Sequence, residues 1–188
     1  LWSVKRLDTF RQHQRRHHWE WIELESLSDK TILIVGLGAI GSKIASMAHG
    51  FQMQVLGIRQ SPVPVASVDR QGTLADFPSF LAEADFIVLA VPYVPSTQGL
   101  ISRCELSRMK SGTTLFNVAL GSVVDTQSLK EALRTGQIRQ ACLDVVETEP
   151  LRTEDDLWDV PKLFITPHNA WSSPLYLPRV AEYWLQNL

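Results

Sequence analysis

A chain of 188 residues is long enough for one full domain with appendages. Its 45% hydrophobic and 20% charged composition is that of an ordinary soluble globular protein, and no apolar run is long enough to span a bilayer. A net charge of −2 argues against nucleic acid or an anionic membrane as the main partner.

The first six residues, Leu1-Trp2-Ser3-Val4-Lys5-Arg6, lack the apolar core of a signal peptide. The start without Met, in what reads as the middle of a helix, suggests a piece of a longer protein. Residues 1–26 read as a helical interdomain segment. Six basic or histidine side chains lie between Arg11 and His18, as on a solvated helix face, and Leu7, Phe10, Trp19, Trp21 and Ile22 are apolar anchors that should pack against something.

From Lys30 onward strands and helices alternate. Thr31–Val35 is β-branched and apolar, a buried strand, and Ala39–Gly50 reads as a helix. Strand 53–58 follows, then a loop marked by Pro62 and Pro64, helix 74–84 and strand 86–90. Helix 102–109, strand 113–118, helix Thr126–Thr135 closed by Gly136, strand 138–145 and strand 163–166 complete the alternation. A last helix is expected over 178–188. Such alternation predicts an α/β fold, a doubly wound parallel sheet in three αβα layers, with ligands bound beyond the carboxyl ends of the strands. The two cysteines, Cys104 and Cys142, are too few and isolated for a disulfide framework or zinc site. No metal is therefore expected, Cys142 reads as buried filler in its strand, and a reducing cytoplasm is the expected compartment.

Gly36-Leu37-Gly38-Ala39-Ile40-Gly41 follows a strand and opens a helix, which is the context a pyrophosphate-binding turn of Rossmann type requires. Gly36 suits the tight turn, Gly38 a close approach of the diphosphate, and Gly41 close packing of helix on strand. The free N–H groups at Ala39 and Ile40, with the helix dipole, would bind the anion. An acid usually stands about twenty residues on, to hold the ribose 2′-hydroxyl. Here Arg59 occupies the end of the second strand, with Ser61 beyond it. Arg59 would pair with a 2′-phosphate and Ser61 could donate to it, which predicts NADP in preference to NAD, NAD remaining possible. A solvent-facing arginine is the bland alternative.

Three later segments also stand at strand ends: Asn117-Val118-Ala119-Leu120-Gly121-Ser122-Val123-Val124-Asp125, Leu143-Asp144-Val145-Val146-Glu147-Thr148-Glu149-Pro150 and Thr166-Pro167-His168-Asn169-Ala170-Trp171. Singly, His168 could be a structural histidine, Glu149 a surface acid and Asp144 a loop cap. Together with the glycine turn, and with Val91-Pro92 followed by Thr97-Gln98-Gly99-Leu100-Ile101, they resemble the D-isomer-specific 2-hydroxyacid dehydrogenases, nearest the NADP-using glyoxylate/hydroxypyruvate reductases.

The resemblance implies that His168 is the acid/base, with Glu149 orienting it. A nearby carboxylate favours the imidazolium, which would protonate the carbonyl oxygen of a small 2-keto acid while hydride reaches its carbon. It implies that Asp144 holds the nicotinamide carboxamide, and that Val91, Pro92, Thr97, Val118, Ala119, Leu120, His168, Ala170 and Trp171 line the cofactor site. One departure stands out. Leu120 occupies the position of the family arginine that binds the substrate carboxylate, and loss of such a contact costs on the order of 10²–10³ in rate. The expectation is cofactor binding with weak or absent turnover, and an inactive fragment when alone. The resemblance also implies a dinucleotide-binding domain over 27–173, a helix from 174–188 returning to a separate substrate domain, and a homodimer. The competing reading is a non-catalytic dinucleotide-sensing or interaction module.

Overall fold

A computed structural model of the chain describes residues 1–61 and 63–186. Seven strands form one all-parallel sheet: β1 (Thr31–Val35), β2 (Gln54–Ile58), β3 (Arg70–Gly72), β4 (Phe86–Leu89), β5 (Thr114–Asn117), β6 (Gln140–Leu143) and β7 (Leu163–Ile165), in the order β3-β2-β1-β4-β5-β6-β7. The chain moves outward from β1 to β2 and β3, then returns to place β4 on the other side of β1. The switch point therefore lies between β1 and β4, where the loops leaving the two strands diverge and open a crevice.

Alternation along β1 divides the core. Leu33 and Val35 enter the larger cluster with residues of α3 (Phe77–Glu83), α4 (Arg103–Arg108) and α5 (Thr126–Thr135). Ile32 and Ile34 face the other way, onto Ala45 and Ala48 of α2 (Ala39–Gly50) and onto Val4. Helices thus flank both faces, as the alternating sequence predicts.

Where boundaries differ from the sequence reading, burial and pairing have parted company. Ile138 and Val145 are buried but lie outside the ladder, so the expected 138–145 strand shortens to β6. Helix 74–84 starts late because the Asp76 carboxylate accepts from the Thr73 amide and hydroxyl, making a turn of residues 73–76. The last helix, α6 (Tyr176–Gln186), starts earlier than expected, with Pro178 inside its first turn, where proline costs no hydrogen bond. Residues 187 and 188 of the expected helix, and Pro62 of the expected loop, lie outside the described residues.

Within residues 1–26 only α1 (Leu7–Arg15) is helical, and it buries none of its residues. The expected anchors are mostly unpacked: Trp19 is 99% and Trp21 83% exposed. Attachment comes from elsewhere. Val4 is buried, Lys5 donates to the Glu25 carbonyl, and the Glu25 carboxylate pairs with Lys30 at 2.8 Å and Arg139 at 2.5 Å. Cys142 is half-buried rather than sealed in, because it borders an apolar groove that runs past Trp2, Phe51, Phe86 and Phe116. Partial burial still pushes its thiol up to about 11.

Candidate active site

The glycine turn sits at the switch point. Gly36 has φ of +100°, donates its amide to the Ile58 carbonyl at 3.0 Å, and would bring a Cβ within 2.4 Å of the Ala90 carbonyl oxygen. A Cβ on Gly41 would lie 2.0 Å from the Gly36 oxygen. Both positions are closed to larger residues by the protein itself. Gly38 differs: a Cβ there would meet nothing within 4 Å. Its openness leaves a path for a ligand to reach the backbone. Gly38 caps α2 without a side-chain hydrogen bond, so the first amides of the helix have no capping acceptor. Gly38, Ala39 and Ile40 are exposed. An anionic diphosphate fits this cradle.

Arg59 follows the residue whose carbonyl holds Gly36, which places it beside the turn at the end of β2. It is half-buried and donates to the Val63 carbonyl at 3.3 Å, while the Ser61 hydroxyl accepts from the Val63 amide. On the opposite side of the crevice, Ala90 donates to the Val35 carbonyl and leads into half-buried Val91 and exposed Pro92. Thr97 is not at the surface. It is buried, and its hydroxyl donates to the Pro92 carbonyl at 2.8 Å and accepts from the Val94 amide, so it shapes this loop from within.

The later strand ends form one connected chain of contacts. Asn117 is buried, and its side chain donates to the Leu120 carbonyl at 2.8 Å and accepts from the Ala119 amide at 3.0 Å. These two bonds fix half-buried Val118, Ala119 and Leu120 at the end of β5. The adjacent Gly121 packs so closely that a Cβ would lie 2.0 Å from the Val146 carbonyl carbon. Val146 in turn donates its amide to Glu149 Oε1 at 3.1 Å, and the other Glu149 oxygen accepts from His168 Nδ1 at 2.7 Å. With Nδ1 committed to the carboxylate, Nε2 is the ring atom left to exchange a proton with a ligand. The hydrogen bond and charge of Glu149 hold the His168 pKa above its ordinary value.

His168 itself has φ of +51°, a conformation unusual for a non-glycine residue. Asp144 explains how it is held. Its backbone carbonyl accepts from the His168 amide at 2.8 Å, and its carboxylate accepts from the Thr166 hydroxyl and from the amides of Asn169 (3.2 Å) and Ala170 (3.0 Å). Burial pushes the Asp144 carboxyl up, but these donors and the nearby His168 outweigh it and leave the pKa low. Sequence reasoning assigns Asp144 to the cofactor by resemblance, with a loop cap as the bland alternative, but it does not name the partners, which are backbone amides 25 and 26 residues away. Nor does it disclose the bonds made by two residues of the quoted segments, the Asn117 side chain on the Leu120 carbonyl and the Trp171 indole, which donates to the His168 carbonyl at 2.8 Å. Trp171 and Ala170 are exposed beyond the histidine.

Beside the His168–Glu149 pair opens a cavity of about 560 Å³, bounded by Val146, Leu151, Trp158 and Ile165 as well as the pair itself. The site therefore combines an anion cradle, a carboxylate-oriented imidazole and an apolar recess. That combination suits proton transfer coupled to chemistry on a bound dinucleotide.

Residues 1–170 match the family model described as D-isomer specific 2-hydroxyacid dehydrogenase, NAD binding domain. A glyoxylate reductase of Pyrococcus horikoshii is 38% identical over 171 residues, covering 91% of this chain and 51% of that protein. A D-isomer specific 2-hydroxyacid dehydrogenase family protein of Aeromonas salmonicida superposes with a TM-score of 0.93 at 35% identity, over 99% of this chain and 59% of that one. A D-isomer specific 2-hydroxyacid dehydrogenase of Xanthobacter autotrophicus Py2, solved with NADPH and MES, gives a TM-score of 0.87 at 30% identity, over 98% of this chain and 77% of that one. The chain spans about half the length of the curated relatives it matches.

Proposed function

We propose that this chain, which belongs to the D-isomer specific 2-hydroxyacid dehydrogenase family, supplies the dinucleotide cleft and the acid/base pair of an oxidoreductase acting on small 2-keto or 2-hydroxy acids of the glyoxylate or hydroxypyruvate kind. The observation that carries the reading is the 2.7 Å His168–Glu149 pair held on the same rim of the sheet as the open Gly38 cradle.

Gly36, Gly38 and Gly41 would seat the diphosphate, with the Ala39 and Ile40 amides donating to it. Arg59, aided by Ser61, would pair with a 2′-phosphate, which favours NADP over NAD. A bound nicotinamide supplies or accepts the hydride. Val91, Pro92, Val118, Ala119 and Leu120, with Ala170 and Trp171, flank the cleft. His168 Nε2 donates a proton to the carbonyl oxygen in reduction and takes it back in oxidation. Glu149 keeps the imidazole charged and aligned, and Asp144 holds the loop that presents it.

Leu120 cannot bind a carboxylate or polarise a carbonyl, so turnover is expected to be weak or absent even in the complete protein, and the chain alone, without a substrate domain, is expected to be inactive. The same residue favours a second reading, a dinucleotide-binding module that senses or interacts rather than catalyses. We place residues 27–173 in the nucleotide domain and read 1–26 and 174–188 as contacts to a separate substrate domain and to a second subunit of a homodimer. The exposed Trp19, Trp21, Leu177 and Leu185 suit such contacts. Two unpaired cysteines fit a reducing cytoplasm.

The test is NADPH oxidation with glyoxylate and hydroxypyruvate, by the full-length protein and by Leu120→Arg. The expected result is a gain on the order of 10²–10³ in kcat/KM for the variant. Binding of NADPH by both proteins with turnover by neither would favour the second reading.

A further inference from the structure

His13, His18 and Glu20 lie far along the chain from the residues of the cleft, and the sequence reading treats the two histidines as part of a solvated helix face and gives Glu20 no role. The structure gathers them. A left-handed turn at His17, with φ of +52°, ends α1 and lets the His18 amide donate to the His13 carbonyl at 2.9 Å. That bond folds the segment back on the helix. The two imidazoles meet edge to face, with ring centroids 4.8 Å apart, and Phe10 packs edge-on against His13 at 6.4 Å.

Glu20 Oε2 lies 3.2 Å from His18 Nε2 and 3.8 Å from His13 Nε2. The three candidate ligand atoms all fall within 4.8 Å of one another. Two ligands at about 2.0–2.1 Å from a tetrahedral Zn²⁺ stand about 3.3 Å apart; the two Glu20 spacings are near that value, and the two imidazoles draw together to close on one ion. The His13 side chain is only 18% exposed, and its Nδ1 is buried with no hydrogen-bond partner among the described residues. Packing therefore fixes the ring and no protein acceptor or donor fixes its tautomer. Nδ1 carries the proton when Nε2 offers its lone pair. A cavity of about 540 Å³ beside these residues, bounded also by Gln14 and Trp19, leaves room for water as a fourth ligand.

We propose that His13, His18 and Glu20 bind a divalent transition metal, Zn²⁺ being the ion to test, and that the metal clips the end of α1 to the extended segment that carries Trp19 and Trp21. Two imidazoles and a carboxylate suit Zn²⁺ and its neighbours, rather than Ca²⁺ or Mg²⁺, which take mostly oxygen. Closing residues 13–20 into a ring restricts the direction in which Trp19 is held. The site rests on none of the residues assigned to the cofactor or to catalysis.

The experiment is calorimetric titration of the metal-free full chain with ZnCl₂, followed by Co²⁺ substitution and tryptophan fluorescence. The account predicts one saturable Zn²⁺ site, visible absorption from tetrahedral Co²⁺, and a change in tryptophan emission on loading. His18→Asn and Glu20→Gln should each weaken Zn²⁺ by on the order of 10²-fold or more, since even supporting residues of metal sites cost 10–100-fold. His49→Asn, on α2, should bind as the parent does. Circular dichroism of each variant shows whether it folds. Acidification should release the metal, because the ligating imidazoles must be neutral. Absence of saturable binding by the parent would overturn the proposal, as would folded His18→Asn and Glu20→Gln variants that bind Zn²⁺ as tightly as the parent.

Discussion

The proton on His168 Nδ1 is the smallest unit on which the catalytic reading depends. Glu149 accepts it at 2.7 Å, and that bond is the chief cause of the raised histidine pKa. A raised folded-state pKa means that imidazolium persists at pH values where a free histidine, with a pKa near 6.5, is largely neutral. Carbonyl reduction, which needs the charged form, should then hold level at low pH and fall as pH rises through the folded pKa. The contribution to stability has the same sign: it is fully present below the unfolded pKa and lost as pH rises through the folded one. Glu149→Gln removes the charge and should move the His168 transition to lower pH. Titration of the His168 ring by NMR reads this directly, without turnover, and an unmoved transition would contradict the assigned role. Leu120 belongs to the same scale. Its backbone is fixed by Asn117, so an arginine there would start from a defined position.

At the scale of the element, the packing of α2 against β1 is set by Gly41, whose missing Cβ leaves room for the Gly36 carbonyl. Gly41→Ala should force the helix away from the turn, at a cost of about 1–3 kcal/mol, and lower Tm by roughly 2–12 °C. Thermal unfolding checks it, and an unchanged Tm would show that the contact relaxes freely. The glycine motif, β1 and α2 are legible in the sequence because local residues determine them. β3 is not: Arg70-Gln71-Gly72 has no apolar run, and it becomes a strand by pairing with Leu56, Gly57 and Ile58 of β2 at the sheet edge. The donors to Asp144 are hidden for a similar reason. They come from a loop that only the pairing of β6 with β7 brings near. His168 and Glu149 could be picked out as candidates, but neither sequence position discloses the left-handed backbone at His168 or the Val146 amide on Glu149. Nor does the position of Thr97 disclose that its hydroxyl is bonded within its own loop.

For the molecule as a whole, the parallel sheet places the carboxyl ends of its strands, and with them the loops that carry the candidate residues, at one rim. Glycine turn and Arg59 lie on one side of the β1–β4 switch point; Leu120, Asp144, Glu149 and His168 follow along β5, β6 and β7. Large apolar side chains stay exposed at the two ends of the chain, Trp19 and Trp21 near one and Leu177, Trp184 and Leu185 near the other. The central claim is that the rim is a dinucleotide cleft tuned to a 2′-phosphate. Calorimetric titration of the chain with NADPH and with NADH, repeated on Arg59→Ala, tests it most directly. The account predicts saturable binding, tighter for NADPH, with the preference lost in the variant. Equal or tighter binding of NADH by the parent, or no binding of either, would contradict it.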